Sequence, residues 1–116
     1  MKVIIAGGRD FDNKVIFYGA IKSFQDNNGN ITEVVCGMAE GADTLGRLWA
    51  EFMEIPVKPF PADWVQFGKS AGPRRNKQMA EYADALIAFW DTKSKGTHSM
   101  IMQATNRKLK VLIVEY

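Results

Sequence analysis

Ala71-Gly-Pro-Arg-Arg-Asn-Lys-Gln-Met-Ala80 runs into Glu81-Tyr-Ala-Asp-Ala-Leu-Ile-Ala-Phe-Trp90, and then into Asp91-Thr-Lys-Ser-Lys-Gly-Thr97. The first ten residues read as a basic helix start. Ala83 to Trp90 reads as a strand apolar enough to be central in a sheet, and the last seven residues as a loop that enters another helix at Gly96-Thr97. Helices alternating with buried strands mark an α/β fold with a parallel sheet. In such a sheet the loops at the carboxyl ends of the strands share one crevice with the helix N-termini, where open N–H groups favour anions. A phosphate is the natural guest.

Working back from this stretch, Pro73 suits the first turn of a helix, where its missing N–H does no harm. Arg74, Arg75 and Lys77 follow at once, and cations there oppose the positive end of the helix dipole unless an anion is present. With Lys69 they make four cations between Asp63 and Glu81 without a carboxylate among them. Pro61 to Gly72 reads as a long irregular connection, its aromatics Trp64 and Phe67 expected to bury the loop, with covering a base as the other reading. Pro56 to Phe60 makes a short third strand. Ile31 to Cys36 makes the second and opens into Gly37-Met38-Ala39-Glu40-Gly41-Ala42-Asp43, whose glycines allow tight backbone and close ligand approach. In the helix that follows, Ala42, Leu45, Trp49 and Phe52 stand at helical spacing, which assigns Trp49 to the core. Asp43, in the first turn, either serves the dipole alone or also reaches a ligand hydroxyl.

The chain starts with Lys2 to Ala6, a β-branched run typical of a strand covered on both faces. Gly7-Gly8 ends it, Arg9 and Asp10 stand at its carboxyl end, Phe11 reads as a buried aromatic anchor, and Asp12 or Asn13 caps a helix with Phe17, Ala20, Ile21 and Phe24 inward. At the far end Met100, Ile101 and Ala104 face inward, and Lys110 to Glu115 closes the sheet. The expectation is one α/β domain over residues 1–116: Rossmann-like, three-layered, with a five-stranded parallel sheet in the order 3-2-1-4-5 and helices on both faces. Its switch point falls between strands one and four.

The bulk properties narrow the function. With 116 residues, 47% of them hydrophobic, the chain can bury a core without disulfide or metal. A net charge of +2 is too small for wholesale neutralisation of a polynucleotide. The single Cys36 excludes an internal disulfide and fits a reducing compartment, and neither a leader nor a long apolar run is visible, so the expected location is cytoplasmic, with no membrane partner. His98 reads as a helix-surface or capping residue, and no metal or cofactor is expected. Strand one is followed by Gly-Gly-Arg-Asp-Phe rather than G-x-G-x-x-G and strand two by Cys36-Gly37 rather than an acid, which disfavours a dinucleotide oxidoreductase; a P-loop is absent.

The rim of strands one, two and four gathers Gly7, Gly8, Arg9, Gly37, Gly41, Asp43, Arg75, Asn76, Ser94, Gly96 and Thr97, a set suited to a phosphorylated ligand. The motifs Gly7-Gly8-Arg9-Asp10-Phe11, Gly37-x-Ala39-x-Gly41-Ala42-Asp43, Ala62-Asp63-Trp64, Gly68-Lys69-x-Ala71-Gly72-Pro73-x-Arg75-Asn76 and Ser94-x-Gly96-Thr97 together resemble the YspA-like branch of the SLOG superfamily. That superfamily joins the Smf/DprA DNA-processing proteins to the cytokinin-activating phosphoribohydrolases. The resemblance implies a Rossmann-like fold whose glycine-rich loops bind nucleotides or nucleotide-derived ligands; several such members come from phages and mobile elements, and some are thought to sense signalling nucleotides.

The phosphoribohydrolases resemble this chain at Arg75, Met79-Ala80, Ala83-Asp84-Ala85 and Gly96-Thr97. In them the resemblance gives the arginine, and a glutamate three residues after Gly-Thr, a role in cleaving a nucleoside monophosphate's N-glycosidic bond. Met100 stands at that glutamate position here, and a thioether cannot stabilise an oxocarbenium-like state or activate water. The leading expectation is therefore a module that binds or senses a nucleotide-derived small molecule. The alternative is an N-glycosidase with a substitute carboxylate, its catalytic candidates being Arg75, Asp43 and Asp10, with Glu40 a further carboxylate nearby. A second alternative is single-stranded DNA binding along Lys69 to Lys77. The apolar, methionine-bearing last helix offers a surface for a homodimer.

Overall fold

The computed structural model describes residues 1–116. Its elements are β1 (Lys2–Gly7), α1 (Lys14–Asn28), β2 (Glu33–Cys36), α2 (Ala42–Phe52), β3 (Val57–Pro59), α3 (Trp64–Phe67), a 3-10 turn (Gly68–Ser70), α4 (Ala71–Tyr82), β4 (Ala85–Trp90), α5 (Lys95–Asn106) and β5 (Lys110–Glu115). All strand pairs are parallel, in the order β3-β2-β1-β4-β5. β1 lies between β2 and β4, with Val3 opposite Ala85 and Gly7 opposite Phe89. No helix is long and apolar enough to cross a membrane.

Because side chains alternate along a strand, the sheet sorts its residues into two cores. Val3, Ile5, Val34, Ile87 and Phe89 face α1 and α2, meeting Phe17, Ile21, Phe24, Trp49 and Ala50. Ile4, Ala6, Val35, Leu86 and Ala88 face α4 and α5, meeting Met79, Ala80, Met100, Ile101 and Ala104. Such double burial is what makes β1 and β4 continuous apolar runs. After β3 the chain recrosses the sheet to β4, so the loops leaving β1 and β4 part toward opposite faces. That parting opens the crevice.

Local chemistry sets the ends. Asn13 caps α1, its side chain accepting from the Ile16 N–H at 3.0 Å, and Gly29 closes the helix at φ +92°. β1 and β5 begin where the apolar runs suggest, whereas β2, β3 and β4 begin later, at Glu33, Val57 and Ala85 rather than at Ile31, Pro56 and Ala83. Asp84 precedes β4 and hydrogen-bonds both the N–H and the C=O of Lys2, through its carboxylate and its own N–H.

Two expectations fail. Phe52, expected on the inner stripe of α2, is 85% exposed because it is the last helical residue, and the small Gly46 and Ala50 take the face against the sheet. The connection from Pro61 to Gly72 is not irregular: Asp63 caps α3 through the Gln66 N–H at 3.0 Å, and the 3-10 turn leads directly into α4.

Candidate functional site

The β1–α1 loop is folded on itself and tied to α2. The Gly8 carbonyl accepts from the N–H groups of Phe11 and Ala42, at 3.2 and 3.3 Å. Gly41 makes this contact possible: it sits at φ +73°, and a Cβ there would lie 2.1 Å from the Gly8 oxygen. From the other side the Tyr116 hydroxyl donates to Asp10 at 2.8 Å, its ring leaning on Phe11. Burial and the neighbouring Asp10 carboxylate push the Tyr116 phenol far up.

Arg75, in the second turn of α4, reaches across to the β2–α2 loop. Its Nη1 donates to the Gly37 carbonyl and its Nε to Asn76 Oδ1 at 3.0 Å. Asn76 is buried and turns its Nδ2 to the Gly96 carbonyl at 3.4 Å. One relay thus joins the β2–α2 loop, α4 and the first turn of α5. A guanidinium has five N–H donors, so three remain open. Asp43, 5% exposed, accepts from the Ala39 N–H at 3.3 Å. Burial pushes its carboxyl up to about 6, against the pull of that N–H and of the Arg75 charge. Burial likewise lowers Arg75, with Asp43 opposing. The molecule's ion pairs, Lys22–Asp26 and Arg47–Glu51, lie on helix surfaces, so Arg75 and Asp43 attract without direct contact.

At the far wall, Asp91 accepts from the N–H groups of Lys93 and Ser94 at 2.8 and 2.7 Å, which holds its carboxyl below the usual range. Ser94 then caps α5, its Oγ accepting from the Thr97 N–H and donating to Thr97 Oγ1. The Lys95 and Gly96 N–H groups come first in the helix, and no protein acceptor meets them.

Between these walls lies a cleft of about 620 Å³. It brings together Gly7, Gly8, Arg9, Asp10, Asp43, Arg75, Asn76, Ser94, Gly96 and Thr97. Two expected members are placed elsewhere. Gly37 lines a smaller hollow of about 290 Å³ that shares Arg9, Ala39, Trp64 and Arg75 with the cleft, and Gly41 lines neither because its role is packing. Of the basic run only Arg75 reaches the cleft. Arg74 lies over the Phe67 ring at 4.3 Å and donates to Ser70, and Lys69 and Lys77 are exposed.

Trp64 and Phe67 do not bury their loop: they are 52% and 36% exposed, and Trp64 forms part of the cleft wall against Gly72. Three positions apart, the two rings share one side of this single-turn helix, and neither joins the hydrophobic core. Sequence reasoning also missed Asp91 and Lys95, which line the cleft; their only signal was a loop position beside Ser94. Met100 borders the cleft with a side chain that is 1% exposed, so this part of the wall is apolar. Three cations and three carboxyls line the cleft, yet each carboxyl is already engaged: Asp10 by Tyr116, Asp43 by Ala39, Asp91 by two backbone amides. The Arg9 guanidinium has no protein partner.

A family model described as "YspA, cpYpsA-related SLOG family" matches residues 1–67, more than half of the chain. The chain belongs to that family. The match takes in the β1 and β2 loops, whereas Arg75, Asn76 and the α5 N-terminus lie beyond it. Among solved structures, the X-ray structure of DNA processing protein A (DprA) from Streptococcus pneumoniae superposes with a TM-score of 0.75 at 18% identity. The superposition covers 97% of this chain and 49% of DprA, so the chain spans about half the length of that protein. At this identity the likeness is one of fold. No curated protein matches the chain.

Proposed function

We propose that the SLOG-family chain binds or senses a nucleotide-derived ligand whose phosphate sits between Arg75 and the N-terminus of α5. One observation carries the reading: Arg75 and Gly96, 21 positions apart in sequence, line one cleft and are joined through Asn76. Open helix N–H groups and a guanidinium with spare donors are complementary to a phosphate's oxygens. Gly7, Gly8 and Arg9 line the same cleft and Trp64 offers a ring to a base. Family membership supports the ligand class, and the free, buried Cys36 accords with a reducing cytoplasm.

Isothermal titration with nucleoside monophosphates, cyclic nucleotides, ADP-ribose and NAD tests the reading. Binding by at least one is expected, with Arg75→Ala weakening it about tenfold or more, the equivalent of one lost charge-assisted bond. Silence across the panel, or unchanged affinity in the variant, overturns it.

The Asp43 carboxyl favours one second reading. A cleft-lining acid held near 6 is poised to exchange a proton at neutral pH, which supports N-glycosidic hydrolysis of a nucleotide despite Met100. Free base released from AMP, and lost on Asp43→Asn or Asp10→Asn, is the signature. Neither the DprA name nor the exposed cations adds a comparable observation for single-stranded DNA, since only one member of the basic run lines the cleft. As a surface for a second copy, α5 exposes Met102 while burying Met100.

A further inference from the structure

The two outer strands of the sheet are built differently. β3 has three residues, ends in Pro59 and is flanked by Pro56 and Pro61, features that keep an edge from pairing. β5 has six, Lys110-Val-Leu-Ile-Val-Glu115, with no proline among them, and it pairs with β4 alone. Lys110 and Tyr116 turn their N–H groups toward β4, onto the carbonyls of Asp84 and Trp90 at 3.4 and 3.1 Å. Along a parallel strand this direction alternates, so Leu112 and Val114 also bond toward β4. Val111, Ile113 and Glu115 then aim their N–H and C=O groups outward, where no other part of the chain meets them. Side chains alternate as well: Leu112 and Val114 join the core under α1 and α2 and Val111 the core under α4 and α5, so Ile113, 42% exposed, and Glu115 stand on the α5 side. One flank of α5 is tied to α4 through Asn76 and Gly96; on the other, His98 rests against Trp90 and, a turn later, Met102 is 45% exposed beside the open edge.

We infer that the outer edge of β5 is the interface of a symmetric homodimer, in which two β5 strands pair antiparallel and join two sheets into one. Charge selects a second copy as the occupant. Arg107, Lys108 and Lys110 stand at the start of β5 and Glu115 at its end, so a two-fold axis beside the strand sets a basic end against an acidic one twice over, whereas a parallel pair would lay like charges abreast. The outward groups restrict the register, because Val111, Ile113 and Glu115 must face residues whose own groups point outward. Of the registers this allows, the one centred on Leu112 opposes Val111 to Ile113 and brings Glu115 opposite Leu109, next to Arg107 and Lys108. Helix packing agrees. α5 lies over both β4 and β5, about half a strand spacing inside the edge, which sets the two α5 helices about 10 Å apart across the axis, a usual distance for packed helices. The Leu109 N–H bonds the Ala104 carbonyl, so Met102 stands level with the first half of β5, over Ile113 of the second copy. Nothing in this pairing depends on what the cleft binds.

Sedimentation velocity of the purified protein over a concentration series, joined to amide hydrogen exchange, tests the pairing. A species of twice 13.0 kDa is expected. As it forms, the amides of Val111, Ile113 and Glu115 should gain protection, while those of Leu112 and Val114 are protected in monomer and dimer alike. Ile113→Lys, which places a charge on the edge, should weaken association at least tenfold, and Ile113→Pro, which removes an N–H that faces away from β4, should do the same. Glu115→Lys should weaken it about threefold, and Lys108→Glu in the same chain should restore it. If a variant unfolds, the alternating exchange pattern of the wild type decides alone. A monomer at every concentration the protein reaches overturns the inference and leaves the edge to a strand of another protein. A dimer unmoved by Ile113→Lys, with Val111, Ile113 and Glu115 exchanging freely, overturns it too and puts the contact on another face.

Discussion

The two walls of the cleft are both built on glycine, but for different reasons. On the wall made by the β1 and β2 loops, a methyl group has nowhere to go. It would stand 2.4 Å from the Phe89 oxygen at Gly7, 2.7 Å from Arg75 Nη1 at Gly37, and 2.1 Å from the Gly8 oxygen at Gly41. On the opposite wall nothing lies within 4 Å of a Cβ built on Gly96. The first wall is packed shut so that chain segments touch; the second is open toward the cleft. Glycine allows both, and only atomic surroundings tell close packing from ligand access.

The sharpest test of the closed wall is Gly41→Ala. It would add both a positive-φ penalty and a clash with backbone, which cannot swing aside as a side-chain tip can. A loss of about 3 kcal/mol or more in urea unfolding is expected; a loss below about 1 kcal/mol would mean that the loop yields and that the two walls do not differ.

Asp43 tests the same wall by pH. Its folded value of about 6 lies above the ordinary 3.8, so between these values the native state holds more proton than the unfolded chain. The carboxyl's contribution is therefore fully present below pH 3.8 and is lost as pH rises through 6, by roughly 3 kcal/mol at most. The difference in unfolding free energy between wild type and Asp43→Asn, followed from pH 4 to 8, should change by a few kcal/mol in the direction that favours the asparagine at high pH. A flat difference would show that the carboxyl is solvated and the wall looser than the structure describes.

How much of this could be read beforehand follows physical range. The sheet order was legible because Val3 to Ala6 and Ala85 to Phe89 are apolar without alternation, which only a central parallel strand requires. The cap of α1 was legible to within one residue, Asp12 or Asn13, since Asn13 acts three residues from itself; Ser94 caps α5 by the same short reach but was read only as a ligand-binding loop residue. The exposure of Phe52 was not legible, because periodicity continues to the end of a helix whether or not the sheet still lies beneath it. The Arg75 bond to Gly37 spans 38 positions, and no local pattern encodes it. For the same reason Gly41 and Gly96 looked alike in sequence, and Trp64 was assigned to packing when its ring borders the cleft.

The smallest expected effect decides whether the open wall has the role proposed for it. Gly96 lies in the first turn of α5, and its replacement by alanine removes backbone freedom from the unfolded chain without meeting any neighbour. Gly96→Ala should therefore raise stability slightly, by up to about 1 kcal/mol, the opposite sign to Gly41→Ala. If a phosphate rests on the Gly96 amide, the new methyl occupies part of its space, and affinity for the tightest nucleotide should fall about tenfold while the melting temperature rises. Undiminished affinity in the stabilised variant would move the phosphate away from α5 toward Arg9 and the Gly7-Gly8 turn. The closed wall would then have to bind as well as pack.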